Sequence, residues 1–358
     1  MLLFSLLAFL TGSSGAGEPR CAELLFAGDA MQHQAQIDQA RLRGGGGYDY
    51  SDCFTYIAPT VTEADYAVCN LEVPLGGGPD YTGYPCFSAP DSYAEALRDA
   101  GFDMFMTANN HSLDRRDRAA RRTLVALDSL GIDHVGSYRD SLDREEKVPF
   151  IKNIKGFKIG FLNYTYGTNG IPPQDGVEIA LIDKERMARE IRKTREAGAE
   201  ILVVMVHWGV EYVLLQNRNQ EELADFLVDQ GVDLIIGGHP HVIQPMKVVR
   251  NEKEGKDVLV VYSLGNLISN MKTADTRGGA LVRARIERDA DGKARFKSAD
   301  YDTFFSAKPT GPASNFTVIP SWMPEKIPAA QRTHWQLFDR GAQRIFDAHN
   351  HRVPRRHK

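Results

Sequence analysis

The chain has 358 residues, enough for one large α/β domain or two smaller ones. At 42% hydrophobic and 25% charged residues it has the make-up of a globular protein with a sizeable core, which excludes a disordered or fibrous chain. A formal net charge of -4 gives it no general attraction to nucleic acid or anionic membrane.

Residues 2–10 are nearly all apolar and 11–17 are small, so 1–17 reads as an export signal, without the usual basic start. The stretch is too short to span a bilayer. No transmembrane span is expected after its removal, and the mature chain is expected outside the cytoplasm, periplasmic or extracellular, in the cell envelope. The four cysteines (Cys21, Cys53, Cys69, Cys86) lack C-x-x-C spacing, so no zinc ribbon or redox motif is expected. In an exported chain Cys53 and Cys86, both in loop-like sequence, are the pair to bridge; Cys69, in an apolar run, reads as a buried free thiol.

Residues 23–27 form a compact apolar strand ending in Gly28-Asp29, with His33 four residues beyond Asp29. Gly44 to Gly47 has no following Lys-Ser/Thr, so a P-loop is excluded. A second strand, 65–69, runs into Asn70-Leu71-Glu72, where alternation puts Asn70 and Glu72 on one face. After a helix over 91–100, a third strand (102–106) ends in Asn109-Asn110-His111. A helix from 114 to 130 follows, opened by Asp114-Arg115-Arg116-Asp117-Arg118 and stopped by Gly131. Residues 148–154 and 158–164 read as a hairpin around Lys155-Gly156, leading to a polar loop through Asn169. Beyond a charged helix (184–198), the apolar strand 200–206 delivers His207-Trp208-Gly209-Val210-Glu211. A helix over 221–231 precedes the strand 232–236 and Gly237-Gly238-His239-Pro240-His241. There the paired glycines are expected to turn the backbone and aim both imidazoles into one pocket. Residues 258–262 form a last buried strand before Ser263-Leu264-Gly265-Asn266. Antiparallel strands over 279–288 and 294–305 and a terminal helix over 331–348 complete the chain, with 349–358 a basic, disordered tail.

Strand C-terminal ends thus carry Asp29, Glu72, Asn110, His207, His239 and His241. Carboxylate, amide and imidazole donors without cysteine suit Mn²⁺, Fe or Zn²⁺, and a carboxylate able to bridge suits one or two ions.

The chain resembles the CapA/PgsA poly-γ-glutamate capsule biosynthesis family, within the calcineurin-like metallophosphoesterase superfamily. The resemblance lies in Phe26-Ala27-Gly28-Asp29, Asn70-Leu71-Glu72, Ala108-Asn109-Asn110-His111-Ser112-Leu113-Asp114, Tyr166-Gly167-Thr168-Asn169-Gly170, His207-Trp208-Gly209-Val210-Glu211, Gly238-His239-Pro240-His241 and Ser263-Leu264-Gly265-Asn266. Each motif is short; their shared order is what carries the match. The resemblance implies an α/β four-layer αββα sandwich of two mixed sheets, with a metal site at the strand C-terminal ends. The resemblance runs from about Leu24 to Asn266; the domain is drawn over 22–306, with a helical extension over 307–348 and the basic tail over 349–358. The resemblance assigns Asp29 and His241 to a first ion, Asn110, His207 and His239 to a second, and Glu72 to the bridging position. It makes His111 a catalytic acid. Asn70, Asn109, Asn169, Glu211, Asn266 and His33 are further metal or substrate candidates. The superfamily's Asp-x-His reads Asp29-Ala30-Met31 here, so the first site lacks a histidine unless His33 takes its place, and the bridging Asp is a longer Glu.

Two functions are expected from this. One is an exported, metal-dependent hydrolase of a phosphoester or of a γ-glutamyl or other amide bond. The other is a non-catalytic capsule component that binds the anionic polymer through Arg115, Arg116 and Arg118, alongside other capsule-synthesis proteins.

Overall fold

The computed structural model describes residues 21–357, so the expected export signal over 1–17 lies outside the described residues. In chain order the first half contains β1 (Cys21–Ala30), α1 (Gln34–Arg43), α2 (Ala58–Thr62), β2 (Tyr66–Leu71), α3 (Asp91–Asp99), β3 (Met104–Met106), α4 (Arg116–Leu130), β4 (Asp133–Val135), β5 (Ser137–Tyr138), α5 (Ser141–Lys147), β6 (Phe150–Ile154), β7 (Phe157–Thr165) and β8 (Glu178–Ile179). There follow α6 (Lys184–Glu196), β9 (Ile201–His207), α7 (Arg218–Asp229), β10 (Leu234–Gly238), β11 (Met246–Asn251), β12 (Lys256–Val261), β13 (Asn266–Ile268), β14 (Gly278–Arg288), β15 (Ala294–Ala307), β16 (Thr317–Pro320) and α8 (Arg332–His349).

One sheet has the order β16-β15-β14-β1-β2-β3-β4, with β13 beside β1, and the other the order β11-β12-β10-β9-β7-β6. β1 to β4 run parallel in the first, and β7, β9, β10 and β12 run parallel in the second. Alternation along each strand sends its side chains into two different layers. From the first sheet Leu24, Phe26, Val68 and Met104 meet Phe161, Val203, Met205 and Ile236 of the second, all buried in a single inter-sheet core. The opposite face of the first sheet (Leu25, Ala67, Cys69, Phe105) packs with Val61, Tyr93, Leu97 and Leu127 of α2 to α4. The opposite face of the second (Leu162, Leu202, Val204, Ile235) packs with Met187 and Ile191 of α6 and Leu223 and Leu227 of α7. Covered on both faces, β9 and β10 are buried at every position, which is why they read as continuous apolar runs. The architecture is the expected αββα sandwich of two mixed sheets.

Some expectations fail for physical reasons. The terminal residues are not a disordered tail. His351 exchanges backbone hydrogen bonds with Met246 and Val248 of β11, and Tyr301 of β15 bonds Pro354 and Arg356 in the same way. Val353 is buried between them, so the segment straps one sheet to the other. β11 and β16 were not expected; β16 has only four residues, one of them Pro320. The expected Cys53–Cys86 bridge is absent. Cys53 is buried in the outer core of the first sheet while Cys86 is exposed, and both are free thiols. Cys69 is the buried free thiol expected. Among the described residues no helix is long and apolar enough to cross a membrane.

Candidate metal centre

The parallel strands of both sheets end on the same side of the sandwich, and two close approaches bring those ends together. A Cβ on Gly28 would lie 1.9 Å from the Gly265 carbonyl oxygen; without one, the Asp29 amide donates to that oxygen at 3.0 Å. A Cβ on Gly238 would lie 2.9 Å from Asp29 Oδ1, so the bare strand end lets the carboxylate in. The turn itself does not fall on the glycines, which stay in β10. It falls on His239 and His241, with φ of 100° and 57°. Left-handed backbone at non-glycine residues is costly and collects at functional sites.

Asn70 Nδ2 donates to Asp29 Oδ1 at 2.8 Å and to Glu72 Oε2 at 3.2 Å, clamping the two carboxylates side by side. The other Glu72 oxygen, Oε1, is buried with no hydrogen-bond partner. It lies 3.6 Å from His207 Nε2 and 3.7 Å from His241 Nε2. Donors bound to one ion at about 2.1 Å stand roughly 3–4 Å apart, so this oxygen is spaced as a shared ligand of two ions. Asn110 Oδ1 is 2.8 Å from His207 Nε2. His241 Nδ1 faces Asn266 Oδ1 at 3.0 Å and Asp29 Oδ2 at 3.3 Å, which leaves its Nε2 aimed at Glu72. The His239 amide donates to Asp29 Oδ2 at 3.2 Å, and its buried ring Nδ1 has no partner. Donor atoms of Glu72, His207 and His239 lie within 4.8 Å of one another, as do those of Asp29, Glu72 and His241. The orphaned Glu72 oxygen and His239 nitrogen, amid hard oxygen and imidazole donors, fit a pair of divalent ions.

The electrostatics agree. Burial opposes ionisation of Asp29, yet its hydrogen bond with His241 and the charges of His207 and His241 hold the carboxyl well below the usual range. Burial, reinforced by the Asp29 charge, pushes Glu72 far up. Burial and the charge of His241 push His239 down to about 3, and His207 is likewise driven well below the ordinary value by burial and by His239. Neutral imidazoles are what a cation needs, and a cation would relieve the strained carboxylate pair.

The remaining candidates divide. His111 Nδ1 meets the buried Asp114 Oδ2 at 2.8 Å, and the Phe87 amide donates to the same oxygen at 2.8 Å. The Phe87 ring stands edge-on to the imidazole at 4.6 Å. An acceptor-only carboxylate keeps the proton on Nδ1 and leaves Nε2 for other work. His33 does not join the donors. It caps α1, with Nδ1 3.3 Å from Gln36 Oε1 and from the Asn270 amide. The Met31 side chain is buried in the outer core. Asn109 supports the site by donating to Asn70 Oδ1 at 3.1 Å and the Leu71 carbonyl at 2.9 Å. Asn169 accepts from Asn110 at 3.3 Å, and Asn70 and Asn266 orient carboxylates and His241. Partly exposed Glu211 stands at the mouth beside His239 and His241. Sequence reasoning missed two residues. Tyr166, its ring 4.6 Å from His239, walls the mouth, and Asp114 fixes His111; both lay inside motifs already noted for their neighbours.

Residues 23–271 match the family described as Bacterial capsule synthesis protein PGA_cap. The chain belongs to that family. Capsule biosynthesis protein CapA of Bacillus anthracis is 29% identical over 250 residues, 67% of this chain and 58% of that protein. PGA biosynthesis protein CapA of Bacillus subtilis (strain 168) is 28% identical over 273 residues, 75% of this chain and 68% of that one. This PGA_cap chain thus spans well under two thirds of the B. anthracis protein. Among solved structures, the NAD nucleotidase of Haemophilus influenzae has a TM-score of 0.48 at 11% identity, covering 90% of this chain and 62% of that one. A putative 5'-nucleotidase from Staphylococcus aureus gives 0.49 at 13%, covering 89% and 58%. Both likenesses are distant, and the chemistry of the PGA_cap site rests on its own atoms.

Proposed function

We propose that this chain is an exported, metal-dependent hydrolase of capsule or cell-envelope metabolism, cleaving a phosphoester or a γ-glutamyl or other amide bond. The observation that carries the reading is the partnerless Glu72 Oε1, 3.6 Å from His207 Nε2 and 3.7 Å from His241 Nε2. Divalent ions there (Mn²⁺, Fe or Zn²⁺) would supply the charge that polarises the scissile group and acidifies the attacking water. Asp29, Glu72 and His241 would hold one ion; Glu72, Asn110, His207 and His239 would hold the other. Asn70 and Asn266 keep those donors aimed. His111, anchored through Nδ1 by Asp114, would deliver a proton from Nε2 to the leaving group.

Arg115, Arg116 and Arg118, exposed where α4 begins just after His111, suit an anionic substrate such as the polymer named for the relatives. They equally support a second reading, in which the chain holds that polymer without cleaving it and works with other capsule-synthesis proteins. Export rests on the apolar and small residues before Glu18 and is tested by locating the chain in cell fractions.

The experiment loads purified protein with Mn²⁺ or Zn²⁺ and assays phosphodiesters and γ-glutamyl peptides beside His239→Ala. Metal-dependent turnover lost in the variant is the expected result. Turnover surviving the substitution would contradict the reading, and metal-dependent polymer binding without turnover would favour the second.

A further inference from the structure

The donor count is unequal between the two halves of the centre. Glu72, Asn110, His207 and His239 would hold the second ion, but only Asp29, Glu72 and His241 the first. The residue at the usual histidine position is Met31, whose side chain is in the outer core, and His33, expected to take its place, is in none of the donor groups.

The loop after β9 brings another carboxylate. Gly209 and Tyr212, with φ of 88° and 66°, fold this loop back over the site. The Tyr212 amide donates to the Pro240 carbonyl at 2.8 Å, tying the loop to the His239-Pro240-His241 turn. The Tyr212 ring lies 6.2 Å from that of His241. Next to that anchor sits Glu211, partly exposed, with a carboxylate oxygen and one ring nitrogen each of His239 and His241 all within 4.8 Å. His239 belongs to one donor set and His241 to the other. Glu72 therefore lies between the two donor sets on the buried side and Glu211 on the solvent side.

We propose that Glu211 is a metal ligand, a solvent-side carboxylate that completes the donor set of the first ion. The assignment rests on the two-ion reading above. It adds a hard oxygen donor to a set already suited to Mn²⁺, and it couples the loop 208–217 to occupancy of the centre.

The test is equilibrium dialysis of the full chain against Mn²⁺, comparing wild type, Glu211→Gln and His239→Ala, with amide hydrogen exchange of 208–217 read in parallel. Glu211→Gln should keep one ion near wild-type affinity and bind the other at least about tenfold more weakly, the loss seen even for groups that only support a ligand. Mn²⁺ should protect the loop amides in wild type and not in the variant. Equal binding of both ions by Glu211→Gln, with its metal-free melting unchanged, would overturn the assignment while leaving the centre intact. A His239→Ala chain that binds Mn²⁺ as wild type does would instead strike the two-ion reading beneath it.

Discussion

The first sheet gathers carboxylates at both ends of its parallel strands, and the two ends treat them oppositely. At the amino-terminal end stand Asp65, Asp103 and Asp133, beside a cleft of about 470 Å³. Asp65 accepts from the Glu23 amide at 2.8 Å and pairs with Lys155 at 2.6 Å. Asp103 accepts from the Ala67 amide at 2.8 Å. Asp133 takes the Tyr66 hydroxyl at 2.6 Å and Lys152 at 2.5 Å. These oxygens have found their donors in backbone and lysine, so they fasten strand starts. At the carboxyl-terminal end no lysine or arginine pairs with Asp29 or Glu72 among the described residues; imidazoles and amides surround them, and one Glu72 oxygen has no partner. A carboxylate cluster marks a cation site when its own protein leaves it short of positive charge.

Substitutions can break that contrast. The largest effect belongs to Glu72→Ala, which should release both ions and drop turnover to background; elemental analysis showing full occupancy would contradict the bridging role. His111→Ala should cost about 10²–10⁴-fold in kcat with metal content unchanged, and any loss of metal would make it a ligand instead. At the opposite end Asp133→Ala strands the buried Tyr66 hydroxyl. It should cost about 1–3 kcal/mol in denaturant unfolding yet leave Mn²⁺ binding as it was; weaker binding would mean the two ends are coupled.

A last test concerns pH. Burial holds His33 down at about 4 in the folded chain, against 6.5 for the ordinary group. Between those values the unfolded chain binds the extra proton, so stability falls as pH drops from 6.5 towards 4. In EDTA, His33→Gln should flatten that slope by at most about 1.4 kcal/mol per pH unit. An unchanged slope would show that His33 is not held neutral.

Much of this was legible in the chain because a parallel sheet makes residues far apart in sequence equivalent. Each apolar run ending in a polar side chain nominates one donor, and Asp29, Glu72, Asn110, His207, His239 and His241 all come together. What could not be read is which nominated residue faces the centre and which supports it. Asn70, Asn109 and Asn266 have the chemistry of ligands, but the oxygens that would bind an ion are already engaged, Asn70 Oδ1 by Asn109, Asn109 Oδ1 by the His111 amide and Asn266 Oδ1 by His241 Nδ1. That His33 caps α1 was not legible because a histidine near a strand end and one capping a helix look alike in sequence. The strap formed by 351–357 was hidden for a related reason. Its basic residues suggest a solvated end, whereas its stability comes from backbone pairing with β11 and β15, which composition does not record.

Anomalous diffraction from crystals grown in Mn²⁺ tests the central claim most directly. Two peaks roughly 3.5–4 Å apart, flanking Glu72 Oε1 with His207 and His241 on opposite sides, are the predicted result. No peak at Glu72, or peaks only among Asp65, Asp103 and Asp133, would contradict it.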